Sequence, residues 1–244
     1  MVSPLAPAVA LALLSAAAPQ VDLAGVERDV ALAERRWDCD AAVAALSSAR
    51  SLARSAPGPA TTSLHVRAGL LAAELLRVRL EQAASDGTTT REQLGQQIDA
   101  FAGEALALVD SQPVTSEHYR IEADLLATMI RSDFRAKKYE ARFNAAITRA
   151  RELDPRNPHA LVSQAKPFLF APPGRGRDPA RGIELLDRAL ALDPRLESAL
   201  LLRAFGRDQL GDRTGAEADW RAALKLNPDC APARQSLARN AAPH

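Results

Sequence analysis

The sequence predicts an all-α fold, built from antiparallel helix hairpins stacked along one axis. Three observations predict it. The composition is 47% hydrophobic but only 4% aromatic, with alanine dominant. That profile favours close-packed helices, because strands favour β-branched and aromatic side chains. Apolar residues recur at steps of three and four, and no stretch past the N-terminal run sustains the two-residue alternation of a half-buried strand. One phrase also closes three segments: "ITRARELDP" ends at Pro155, "LDRALALDP" at Pro194 and "WRAALKLNP" at Pro228.

At 244 residues the chain is long enough for a substantial core. Its first residues, "MVSPLAPAVALALLSAAAPQ", form an uncharged apolar run followed by small residues. Val9–Leu14 fits the apolar region of a signal peptide, and Ser15-Ala16-Ala17 suits cleavage after Ala17. Residues 1–18 are therefore expected to be a signal peptide and the protein periplasmic or secreted. The run lacks Lys and Arg and is broken by Pro4 and Pro7, so a cytoplasmic location stays open. It is too short to span a bilayer as a helix.

Residues 19–114 are expected to form divergent helical hairpins. Leu23, Val26, Val30, Ala33 and Trp37 make one helical stripe. Leu64, Ala68, Leu71, Leu75 and Val78 make a second, and Leu94, Ile98, Phe101, Ala105 and Leu108 a third. "SAPGPAT" and "SDGTTT" separate helices, with Thr89 and Glu92 spaced as a capping box. "DSQPVTSE" is the next break, capped by Thr115 or Ser116. A junction is expected near Arg135–Lys138, where no Gly or Pro marks it. Later breaks fall at Asp154–Asn157, Ala171–Arg177, Asp193–Arg195, Gly211–Asp212 and Asn227–Asp229. About eleven helices result.

Residues 115–244 carry the recurring phrase. From Glu197, Leu200 and Ala204 lie on one face of a first helix, and Gly211-Asp212 makes a turn. Ala216, Trp220 and Ala223 follow on a second helix, which Pro228 closes. Small, large, small and then proline at these places resembles the tetratricopeptide repeat (TPR), in which small residues let paired helices approach and a large one plugs the gap. Arg207 stands where an aromatic is usual. The preceding unit, from Pro158, matches at Leu161, Ala165, Phe168, Gly182, Leu186, Ala189 and Pro194. Its closing prolines are 39 residues apart rather than 34, which places extra residues in the turn "APPGRGRD". There Asp178-Pro179 reads as an N-cap followed by a proline at the first helical position. One unit earlier only Ile147, Ala150 and Pro155 match, and Phe143 occupies a small-residue place.

The resemblance implies a right-handed solenoid of about five hairpins plus a capping helix at Ala231–Ala241. There Ala233, Leu237 and Ala241 would face inward, with Arg234, Gln235 and Arg239 in water. It also implies a concave groove lined by first helices that holds a peptide or a partner's helix. Carried over residue by residue, the groove positions are His159, Val162, Lys166, Leu169 and Phe170, then Ser198, Leu201, Phe205, Asp208 and Gln209. Phe170 and Phe205 either meet that partner or pack on adjacent helices. Pro167 is expected to bend its helix or end its regular bonding. Arg175 and Arg177 project from the inserted loop and are candidate contacts for an acidic group or a phosphate.

Little in the chain points to chemistry. His65, His118, His159 and His244 stand apart and are expected at the surface or its boundary; none forms a zinc pattern. No nucleophile elbow, Walker loop or dinucleotide fingerprint occurs. No cofactor and no metal site are expected. Lys plus Arg (31) nearly balances Asp plus Glu (30), which argues against a nucleic-acid partner. Cys39 and Cys230 can pair only if the chain ends meet; otherwise they are small apolar residues. The leading expectation is a non-enzymatic scaffold for a protein or peptide in the cell envelope. The alternatives are a transport-associated repeat protein that binds a small ligand, and a cytoplasmic adaptor linked to signalling.

Overall fold

The computed structural model describes residues 22–82, 88–171 and 174–241. Among them lie eleven helices and no strand: α1 (Leu23–Arg36), α2 (Cys39–Ser55), α3 (Pro59–Gln82), α4 (Thr88–Val109), α5 (Ser116–Met129), α6 (Asp133–Leu153), α7 (Pro158–Phe170), α8 (Pro179–Leu192), α9 (Glu197–Gln209), α10 (Arg213–Leu226) and α11 (Ala231–Ala241). Consecutive helices pair into five hairpins, α1/α2 through α9/α10, and α11 packs on the last. The odd-numbered helices also touch one another in succession, from α1 to α9. They form the inner layer of an all-α solenoid, and the even-numbered helices form the outer one.

Helix starts follow the polar punctuation. The side chains of Asp22, Asp38, Thr115, Asn157, Asp178 and Asp212 accept backbone N–H groups of the turns they open. Each satisfies a donor that the helix itself cannot. The expected junction at Arg135–Lys138 lies earlier: α5 ends at Met129, and Ser132 caps α6 by accepting from Arg135 N. A serine cap needs no Gly or Pro, so the break carried little signal. Pro167 sits inside α7, which continues to Phe170. The capping box at Thr89 and the side chain of Ala241 lie outside the described side chains, as does the segment read as a signal peptide.

The TPR-like spacing packs as expected. Ala216, Trp220 and Ala223 are all buried, as are Gly182, Leu186 and Ala189. Phe143 is buried too, in a small-residue place. Arg207 replaces the usual aromatic by an ionic contact. Its guanidinium reaches Asp219 at 2.9 Å, and Arg203 holds the same carboxylate through two hydrogen bonds of 2.9 and 2.7 Å.

The apolar core falls into three parts. One spans α1–α4 and takes in Leu125 and Met129 of α5, a small one lies between α5 and α6, and the third spans α7–α11. Leu106 and Tyr139 link the first two, but no residue links the α5/α6 core to the third. Polar contacts cross that seam: Asn157 Nδ2 donates to Ser116 Oγ at 2.8 Å, and Arg151 to Gln164 at 3.0 Å. Among the described residues Trp37 alone packs against both the first core and the third. It adopts the left-handed conformation with φ 55°. A non-glycine residue there costs about 1–2 kcal/mol, so packing must hold it.

The end of α1 meets the α10–α11 turn, yet Cys39 and Cys230 remain separate buried thiols. Burial pushes the Cys230 thiol up to about 12, with neighbouring Glu197 adding to the effect. Two of the histidines depart from the expected surface position. His65 and His118 are buried, because α3 and α5 are covered on several sides.

Candidate functional site

The inner layer places the carried-over residues in three different environments. Val162, Leu169 and Leu201 are buried in the third core. Leu169 is wedged where Gly182 and Gly206 leave room; a Cβ on either glycine would stand 2.8 or 3.0 Å from Leu169 Cδ2. These three shape the wall and present no surface to an occupant. His159 is exposed, while Ser198, Asp208 and Gln209 are half-buried. Gln209 Nε2 donates to Leu169 O at 3.2 Å and ties α9 to the end of α7.

Phe170 and Phe205 form the apolar feature that remains. Their rings stack with centroids 5.0 Å apart and planes 25° from parallel. Each ring packs on the adjacent helix, and the two stay 42% and 39% exposed. Leu210 nearby is 56% exposed.

Lys166 is not a free cation. Its ammonium donates to Asp124 Oδ1 and to Glu74 Oε1, each at 2.8 Å. Asp124 is enclosed, and its second oxygen accepts from Arg120 at 2.5 Å and from Ser163 at 2.9 Å. Arg120 in turn holds Glu117 through two bonds of 2.8 and 2.6 Å. Burial alone would push the Asp124 carboxyl up. The Lys166 ammonium, the Arg120 guanidinium and the hydrogen bonds from Lys166 and Ser163 outweigh it and hold the carboxyl below its usual range. The same two carboxylates raise Lys166 against the pull of its own burial. The inner floor is thus a network of mutually paired charges from α3, α5 and α7.

Glu34 of α1, exposed at its surface, feels the charges of this floor. Its carboxyl is raised by desolvation, and by Glu74 and Glu197, against the opposing charges of Arg67 and Arg120. These groups lie on α3, α5 and α9, so one carboxylate of α1 feels three other inner helices at once. Periodicity missed Glu34, Arg120 and Asp124. A sequence signal existed, since Asp124 interrupts the otherwise apolar run of "ADLLATM".

The loop arginines are already engaged. Arg175 pairs with Asp133 at 2.6 Å, both exposed, and Arg177 Nε donates to Ala171 O at 2.7 Å. Two clefts lie away from the carried-over positions. One, of about 470 Å³, runs beside Tyr119, Glu122, Arg142 and Arg149. The other, of about 150 Å³, is lined by Val66, Val109, Pro113 and His118. Among the described residues no group of three or more His, Cys, Asp or Glu is placed to hold a metal ion. No helix among them is long and apolar enough to cross a membrane.

No protein-family model matches the chain. No curated protein matches it by sequence. Among solved structures it is similar to the crystal structure of YrrB, a TPR protein with an unusual peptide-binding site. The identity is 12% and the TM-score 0.40, over 90% of this chain and 94% of that one. A likeness of that degree assigns no site here; the chain's own geometry has to carry the reading.

Proposed function

We propose that the protein is a non-enzymatic helical-repeat scaffold that holds a protein or peptide partner on its inner face, with Phe170 and Phe205 as the apolar anchor. The stacked, half-exposed pair carries this reading. Two large rings meet on neighbouring inner helices and leave much of their surface in water, as aromatic anchors of an interface do. Every ion in the Lys166 cluster on the floor is already paired, so the rings rather than a free charge supply the anchor. Residues 1–18 serve as a signal peptide in this reading, and the scaffold works in the cell envelope.

Affinity capture from the native host tests the binding claim. Phe170→Ala and Phe205→Ala alter exposed side chains, so their helical circular dichroism should match the wild type. Partner recovery should fall by about tenfold, the scale of an interface anchor. Equal recovery by both variants overturns the reading. Lys166 is a poor probe, because its substitution would strand Asp124. Export is tested by the mass of the native N-terminus; material that retains Met1–Ala17 rules it out.

A further inference from the structure

The three recurring turns share one structure and differ in one atom. After each phrase the helix-ending side chain accepts the amide two residues on. Asp154 Oδ1 accepts from Arg156 N at 2.9 Å, Asp193 Oδ1 from Arg195 N at 2.9 Å, and Asn227 Oδ1 from Asp229 N at 3.1 Å. A carboxylate completes the first two turns. Asparagine at the third adds an NH₂ that the turn does not need. That group donates to Arg35 O at 2.9 Å and to Glu197 Oε1 at 3.0 Å. An aspartate would have no donor for either acceptor and would set a second negative charge against Glu197.

Two further contacts converge at this point. Arg35 lies 3.6 Å from Asp229, and Trp37 brings the end of α1 onto the third core. The C-terminal end of the first helix therefore rests on the turn between α10 and α11, and the row of inner helices closes into a ring. On the opposite side, the seam between α6 and α7 has polar contacts in place of a shared apolar core. Two apolar bodies joined by a polar seam, by the Lys166 ion network beside it, and by the contact around Asn227 and Trp37, with no shared apolar core, have the anatomy of hinge motion.

We propose that Asn227 is a clasp. Docking of the α1 end on the α10–α11 turn closes the inner ring, and its release, hinged at the α6–α7 seam, opens the inner face to an occupant. The gating of an occupant rests on the scaffold reading above; the clasp itself does not.

Asn227→Asp is a selective test, because the new side chain still accepts from Asp229 N while losing both remote donors. The loss of two hydrogen bonds, with like charge added, should multiply the open-to-closed ratio by roughly ten to a hundred. In solution scattering the radius of gyration should rise by about 2 Å above the roughly 18 Å of a compact chain this long. In a Trp220→Phe background, acrylamide should quench Trp37 more strongly, with helical circular dichroism unchanged. Asp193→Asn, the reverse exchange at a turn whose side chain bonds Arg195 N of the same turn, should change nothing. Scattering and quenching identical to the wild type for Asn227→Asp overturn the clasp.

If that variant loses helicity, the exposed Arg35–Asp229 pair decides. Asp229→Arg should open the ring and the double exchange Arg35→Asp/Asp229→Arg should close it again; no difference between them overturns the clasp. Opening without a several-fold gain in partner recovery removes the gate and leaves the clasp standing. Recovery insensitive to Phe170→Ala and Phe205→Ala removes only the scaffold reading.

Discussion

Asp124 ties together the inner floor. One buried carboxylate meets Lys166, Arg120 and Ser163 and so joins α5 to α7, while Lys166 reaches on to α3. Its native carboxyl is depressed below the unfolded value. A depressed acid stabilises the fold above its unfolded pKa, near 3.9, and that contribution is lost as pH falls through the native pKa. Asp124→Asn leaves two cations facing a neutral amide. It should cost about 3 kcal/mol at pH 7, the usual penalty for breaking a buried pair from one side. The deficit should shrink below about pH 4, where the wild type begins to lose the same interaction. Urea melts at pH 7 and pH 3 check both parts; an equal deficit at the two values would show that the charge does not matter.

Between helices, small residues set the distances. A Cβ built on Gly69 of α3 would stand 2.9 Å from the Cβ of Ala105 on α4, so the helices would have to part. Gly103, one turn or less away on α4, has nothing within 4 Å. Gly69→Ala should therefore destabilise by about 1–3 kcal/mol through overpacking. Gly103→Ala should stabilise by up to about 1 kcal/mol, as alanine is the better helix former. Opposite shifts of the urea midpoint are expected, and shifts of the same sign would contradict the packing account. Apolar steps of three and four located most of these helices because each has one covered face. The α5–α6 junction escaped because it is made by a serine cap and two ordinary residues rather than by Gly or Pro.

For the molecule as a whole, the division of the core matters more than its size. Stacked repeats unfold together only as far as their interfaces couple them. Here the α1–α6 and α7–α11 bodies share Trp37 and a polar seam that includes the Lys166 ion network. Trp37→Ala removes the one side chain common to the first and third cores. Its unfolding should separate into two steps: Trp220 fluorescence, which reports on the C-terminal body, should no longer coincide with far-ultraviolet circular dichroism. Coincident transitions in this variant would mean that the polar seam alone couples the two bodies.

The helices, their pairing and the recurring turn were legible in the chain because each rests on local rules: periodic burial, caps, and a proline that cannot continue a helix. Small-large-small spacing at Ala216, Trp220 and Ala223 told which residues would be buried together, since that packing lies within one hairpin. Contacts between hairpins far apart in sequence follow no such rule. Whether Phe170 and Phe205 would be covered, whether Lys166 would be free, and where the end of α1 would rest depended on how five hairpins curve. Only the tertiary structure decided these, because the sum of small inter-helix rotations brings Arg35 to Asn227 across 192 positions of sequence.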